Sequence, residues 1–374
     1  MGLPRSRRTW SPAVLLAALL GLSSGLAACS PAAVPVQPSS DVTQAPPASF
    51  APTTVTLLTH DSFSVDKSVL AAFRLRTGIT IRVVTGGDAG VLVNRAVLTA
   101  GNPEGDVLFG VDNTLLSRAV DAGVFAPYRP AALSQVAPAL RALVPGDAVV
   151  PVDFGDVCVV ADDHWFAAHH LAVPTTLDAL TDPAYAGRLV VENPAASSPG
   201  LAFMLATIAH YGDGGWTAYW ARLRANGVKV DNDWTSAYDG DFTAGGQKGT
   251  YPLVVSYGTD PVASIEYAAA PKPTTPTVSV LTASCFRQVE FAGVLAGTPH
   301  PQAARAVVDF LISPQFQQGI PLGMYVFPSV TATTLPAVFS RWAVQSPDPL
   351  QVPSAQITAH RSEWVGRWTQ VVLH

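Results

Sequence analysis

From Thr54 onward the chain alternates short apolar runs with amphipathic stretches. Val55 to Leu58 is an apolar run of strand length, and Val65 to Arg76 spaces its apolar residues as a helix that Gly78 closes. Ile79 to Val84 predicts a second strand, Gly90 to Ala100 a helix stopped by Gly101, Asp106 to Val111 a third strand, and Asn113 to Ala122 a helix stopped by Gly123. Strands alternating with helices of this length imply right-handed βαβ units and a mainly parallel sheet flanked by helices, an α/β fold. Ligands bind beyond the carboxyl ends of such strands. His60-Asp61-Ser62, Gly86-Gly87-Asp88 and Asp112-Asn113 therefore fall on one edge, the candidate cleft.

A second alternating region follows the segment Val149 to Gly155. Val157 to Ala161 and Leu189 to Glu192 read as strands, and Gly200 to His210 as a helix with Pro199 in its first turn. Trp216 to Asn226 reads as helix, Val228 to Val230 and Leu253 to Tyr257 as strands, and Gln288 to Leu295 as a returning strand. Pro301 to Ile312 forms an amphipathic helix with Ala303, Val307, Phe310 and Leu311 on one face. The chain has no internal repeat.

The first 52 residues follow a different pattern. Arg5, Arg7 and Arg8 precede an apolar run from Ala13 to Leu22, too short to span a bilayer, and small residues come next. Residues 1–28 read as an export signal. Its end, Leu26-Ala27-Ala28-Cys29, resembles the lipobox of bacterial lipoproteins, which implies lipidation at Cys29; an ordinary signal cut near Ala28 is the alternative. Residues 29–52 are rich in Pro, Ala and Ser and form an extended tether rather than a core. Both the Sec and the twin-arginine export routes stay open.

At 374 residues the chain fits two domains of ordinary size, and 32 prolines, 29 glycines and 13% charged residues describe a loop-rich globule. The formal charge is −5, and removing residues 1–28 leaves 19 basic against 27 acidic residues, or −8. That balance disfavours nucleic acid and favours cationic solutes. Motifs of metal binding and nucleotide binding are missing: there is no Walker loop, HExxH or CxxC. No enzyme activity, metal or cofactor is expected. Asp231 and Asp233 read as solvated turn residues. Two cysteines remain beyond Cys29, namely Cys158 and Cys285, which an exported protein either pairs or buries as free thiols.

Aromatic and small polar residues recur where strands meet loops. In order they are THDSF (59–63), VLFGVDNTLL (107–116), VPVDFG (150–155), ENPAASSPGL (192–201), DWTSAY (233–238), LVVSYGTDP (253–261) and SPQFQQGIPLGMYVFP (313–328). Taken together, from about residue 55 to about 345, they resemble the thiamine-binding periplasmic proteins. The resemblance implies the type II two-lobed binding-protein fold, with a ligand held between lobes joined by two crossing segments. Residues 53–153 and 287–330 would form lobe one, 154–286 lobe two, and 331–374 a C-terminal segment packing back. It implies capture of thiamine or a thiamine phosphate for an ABC importer by a monomer tethered outside the cell membrane.

Carried over residue by residue, the family's contacts fall on Asp88, Ser197, Ser198, Trp234 and Tyr257-Gly258-Thr259-Asp260, with Tyr325 and His60 at further positions of the pattern. Thiamine pairs a permanent thiazolium cation with a flat aminopyrimidine, so a site needs carboxylates and aromatic faces. Asp88 offsets the charge, while Trp234 and Tyr257 supply stacking or cation–π contact. Ser197 and Ser198 precede a helix start and form an anion cradle for a phosphate, or serve only as its cap. Trp234 lies in a polar loop, a poor place for an indole unless something flat covers it. The sequence departs from the family in having His60 where a tyrosine is common, Tyr325 where a tryptophan is common, and Asp260 in place of a small hydroxyl residue. In this fold the crossing segments run side by side, which implies a Cys158–Cys285 disulfide. A polyamine binder of the same fold is the main alternative and an exported hydrolase a lesser one. A ferric-ion binder would show two adjacent tyrosines, which this chain lacks.

Overall fold

The computed structural model describes residues 49–246 and 249–374. The export signal, Cys29 and the tether up to residue 48 lie outside the described residues. Ten strands form one sheet: β1 (Thr53–Thr59), β2 (Ile79–Thr85), β3 (Val107–Asp112), β4 (Phe125–Ala126), β5 (Val150–Asp162), β6 (Leu189–Glu192), β7 (Lys229–Asp231), β8 (Leu253–Tyr257), β9 (Val278–Leu295) and β10 (Phe327–Pro328). The main path runs β2-β1-β3-β9-β5-β8-β6-β7. At both ends of this path the pairing is parallel, β2 and β3 flanking β1, and β7 and β8 flanking β6. In the middle it is antiparallel, because β9 runs against both β3 and β5, and β5 runs against β8.

Local sequence accounts for the outer elements. The helix Lys67–Thr77 starts where the Asp66 side chain accepts from the Ser68 amide and stops at Gly78, whose φ of 79° suits glycine. Asp88 caps the helix Ala89–Leu98. The stretch expected as a helix from Asn113 begins later, at Leu116, because the Asp112 carboxylate takes up the Thr114 and Leu115 amides and holds a turn there. The two helices expected between Gly200 and Asn226 form one element, Ser198–Ala225, broken at Gly212 with φ 66°.

The two central strands are longer than their apolar runs suggest. β5 extends back to Val150 and β9 back to Val278, and they pair from Val150 with Ala292 to Asp162 with Val278, with two register shifts. Asp153, Asp156, Ser284 and Gln288 are buried along them and interrupt the hydrophobic pattern. Arg287 pairs with the fully buried Asp156, and the Ser346 amide donates to the same carboxylate at 2.7 Å. The tail beyond residue 331 is laid over this region: the Leu350 amide donates to the Cys285 carbonyl, the Val344 amide to the Gly258 carbonyl. The last helix, Ser354–Val372, packs on both Ser198–Ala225 and Leu116–Asp121, with Trp368 buried edge-on to Trp220.

Cys158 on β5 and Cys285 on β9 are joined by a disulfide, both fully buried. The bond spans 127 residues of sequence. Restricting so long a loop in the unfolded chain stabilises by ~2–4 kcal/mol. We expect the Cys158→Ser, Cys285→Ser double variant to lose stability of that order in urea denaturation, and mass spectrometry of the unreduced protein to show neither thiol alkylated.

Candidate functional site

A cavity of about 1010 Å³ opens beyond the carboxyl ends of β1, β6 and β8, at the upper end of the size range for small-molecule sites. Of the residues singled out from sequence, His60, Asp88, Ser198, Trp234, Tyr257, Asp260 and Tyr325 line it. They come from six separate segments of the chain.

Three others do not line it. Ser197 is buried and turns its hydroxyl to the Gly200 amide, capping the helix Ser198–Ala225. Gly258 is backbone scaffold: its amide donates to the Asp156 carbonyl, and a Cβ there would lie 2.4 Å from the Val344 carbonyl oxygen. Thr259 donates its hydroxyl to the Tyr325 carbonyl and so fixes a neighbour rather than facing the cavity. The expected anion cradle is correspondingly reduced. Ser197 already occupies one helix-start amide, and the Ser198 hydroxyl accepts from Gln288 Nε2 at 2.9 Å.

Asp88 does more than cap its helix. Oδ1 accepts from the Ala89 amide and Oδ2 reaches 146 residues along the chain to the Trp234 amide at 3.1 Å. Close by, Gly90 lies against the Ala196 carbonyl, where a Cβ would stand 2.3 Å from the oxygen. Residues 88–90 and the loops at 196 and 234 are thus locked together across one end of the cavity. Burial raises the Asp88 carboxyl above its usual range, opposed by hydrogen bonds from Ser197, Ala89 and Trp234 and by His60.

The Trp234 ring is stacked on Tyr238 at 4.8 Å and 15°, with Tyr257 edge-on at 6.4 Å, and its Nε1–H donates to Ser256 at 3.0 Å. The flat partner expected for this indole is therefore in part the protein's own. Tyr238 follows Trp234 by one helical turn in the DWTSAY segment, a spacing that carried the signal. Tyr267 and Tyr325 form a second aromatic pair at 5.3 Å on the cavity wall. Tyr325 is held at φ 55°, a region that non-glycine residues rarely adopt outside functional sites.

Glu290 is the site residue that the sequence pattern hid, because it sits inside the apolar run of β9. It is buried, with Oε1 3.4 Å from His60 Nε2. Directly across the ladder is Asp153, fully buried and pushed well above the usual carboxyl range by burial and by the Glu290 charge. Gln288 ties the floor together: Nε2 donates to Asp112 and Ser198, and Oε1 accepts from the Tyr257 hydroxyl. Burial raises Asp112 to about 7 against hydrogen bonds from Thr114 and Gln288. On the far wall burial raises Asp260 to about 7 against Ser256 and the Tyr257 amide, and Asp260 Oδ2 has no hydrogen-bond partner among the described residues.

This is a cavity of aromatic rings and underpaired acids, chemistry suited to a flat cation. Over residues 102–348 the chain matches the family described as bacterial extracellular solute-binding protein. It is 31% identical to the thiamine-binding periplasmic protein of Escherichia coli strain K12 over 337 residues, covering 86% of this chain and 94% of that one. The corresponding protein of Salmonella typhimurium strain LT2 is also 31% identical, over the same shares. The solved structure of a periplasmic thiamin binding protein superimposes with a TM-score of 0.73 at 29% identity, covering 85% of this chain and 96% of that one. The chain belongs to the bacterial extracellular solute-binding proteins and, within them, to the family of the thiamine-binding periplasmic proteins. Such proteins bind solutes for transport and are not enzymes.

The Asp260 carboxyl gives a stability test. Its folded-state pKa of about 7 stands above the ordinary 3.8, so the unfolded chain releases this proton first and stability falls as pH rises from about 4 to about 7. We expect Asp260→Asn to be neutral near pH 4 and to stabilise the ligand-free protein by a few kcal/mol near pH 8, since each tenfold difference in proton affinity between the folded and unfolded chain is worth about 1.4 kcal/mol. Urea denaturation at the two pH values checks it.

Proposed function

We propose that this protein captures thiamine outside the cell and passes it to the permease of an ABC importer. The observation that carries this reading is the pairing of the Trp234–Tyr238 stack with Asp88, Glu290 and Asp260 around one cavity. A permanently charged thiazolium is attracted to these carboxylates without needing a proton, and the aminopyrimidine offers a flat face to the rings. Cation–π contact contributes ~0.5–2 kcal/mol, more as the site is desolvated. The thiamine-binding relatives of Escherichia coli and Salmonella typhimurium support the same ligand.

Unphosphorylated thiamine suits this site better than thiamine diphosphate. Asp260 and Asp88 turn carboxyl oxygens rather than donors to the walls, and Ser197 commits its hydroxyl to the Gly200 amide and the Asp88 carboxylate. The protein works as a monomer held at the membrane by lipid on Cys29, which the lipobox-like Leu26-Ala27-Ala28-Cys29 supports. Residues 53–153 with 287–330 serve as one lobe and 154–286 as the other, meeting over the ligand.

Trp234→Ala tests the site. Removing the ring should weaken thiamine by ~1–3 kcal/mol, roughly one to two decades in Kd by isothermal titration. Because Tyr238 loses its stacking partner, folding stability should fall by ~0.5–1.5 kcal/mol. Unchanged affinity together with a large loss in chemical denaturation would place Trp234 in the scaffold and the ligand elsewhere.

A further inference from the structure

His60 is built into the cavity wall with unusual care. It follows β1 directly, and its side chain is 12% exposed. The ring lies on Gly110 of β3, where φ is 100° and a Cβ would stand 2.3 Å from His60 Cδ2, so only glycine leaves the imidazole its place. Phe109 closes one side with ring centroids 5.6 Å apart.

Carboxyl groups from several elements face this ring. Glu290 of β9 lies 3.4 Å from Nε2, Asp88 caps the helix Ala89–Leu98, and Asp61 is the adjoining residue. Asp153 of β5 stands behind Glu290, its carboxyl pushed well above the ordinary range by burial and the Glu290 charge, and burial and the surrounding acids push the Tyr257 phenol of β8 above its ordinary value. Asp112 of β3 belongs to the same floor. Burial alone would discharge the imidazole. The Glu290 carboxylate 3.4 Å away, then Asp88 and Asp61, outweigh it and hold the ring's pKa above the usual histidine value.

We propose that solute capture in this cavity is an exchange of cations, in which the solute's fixed positive charge takes over Glu290 and Asp88 and the His60 imidazolium surrenders its proton to solvent. One N–H bond of the ring breaks, the proton passes to the buffer, and the neutral imidazole stays on Gly110. The charge balance of the site is kept, since one positive charge enters as one leaves. Two cations sharing the same carboxylates would repel one another in a water-poor cavity, so the ring gives way. Its pKa is therefore higher in the free protein than in the complex. By linkage, affinity rises with pH through the window between those two values, by up to about tenfold per pH unit, and levels off above it. The inference rests on the thiamine reading for a ligand whose own positive charge is permanent.

Calorimetric titration of the full protein with thiamine, at several pH values and in buffers of different ionisation enthalpy, counts the protons released. We expect release approaching about one proton per thiamine in the pH range where the free ring is charged, with Kd tightening several-fold as pH rises toward the raised pKa of the free ring and levelling off above it. In His60→Gln the count should drop and the affinity profile should flatten. In Asp260→Asn, which removes another carboxyl titrating near neutrality, the His60 share of the release should persist. Ring resonances of His60 followed by NMR near pH 6.5 give a second measurement that needs no variant, and they should move from the imidazolium to the neutral position as thiamine is added. Equal proton counts in wild type and His60→Gln, proton uptake, or a ring that keeps its charge would overturn the exchange while leaving thiamine as the ligand. Failure of thiamine to bind at any pH would overturn both.

Discussion

Everything else in this structure hangs on the ladder between β5 and β9. These strands carry the chain between the parallel regions at either end of the sheet, and they are buried along most of their length. A buried ladder has to place polar side chains with care, because each charged group loses water and must find a partner. Asp156 finds Arg287 and the Ser346 amide, and Ser284 takes the Val159 amide. The same ladder supplies the cavity floor through Asp153, Gln288 and Glu290. The mechanical centre of the fold and the chemical centre of the site are one pair of strands.

The electrostatics of the cavity follow from that arrangement. Asp153, Glu192 and Asp260 each have buried carboxyl oxygens without hydrogen-bond partners among the described residues, and burial raises all three above their ordinary values. Such groups cost stability when nothing sits beside them. A cationic ligand offsets part of that cost at the walls, so some of the free energy of capture comes from relieving the protein rather than from new contacts alone. Aromatic rings add direction, since Trp234, Tyr238 and Tyr257 fix the plane in which a flat ligand can lie.

The outer elements were legible in the sequence because each obeys a local rule. Leu189–Glu192 and Leu253–Tyr257 are continuous apolar runs bounded by turn residues, and Gly78 closes its helix as a left-handed cap. The ends of β5 and β9 were not legible, since buried Asp156, Ser284 and Gln288 take partners far away in the chain and the carboxyl oxygens of buried Asp153 have none among the described residues. Glu290 escaped for the same reason. At the site, the motif pattern located loops that line the cavity but not the direction of each side chain. Gly258 and Thr259 sit one and two positions beyond Tyr257, yet they serve the backbone of Val344 and Tyr325. Trp234 was found by its setting in a polar loop, while the ring that stacks on it belongs to its own next turn.

The tail laid over the central ladder bears on the order in which the chain becomes competent. All the lining residues named above have been made by Val326, but Val344, Ser346 and Leu350, which tie down Gly258, Asp156 and Cys285, come later. The cover over Trp220 comes last of all, with Trp368. A chain that emerges from its N-terminus therefore carries every lining group before it has the strap that holds the central strands in register. Its pocket sets only once residues 344–350 have joined the central strands, so the groups that line the cavity and the strap that fixes them arrive separately.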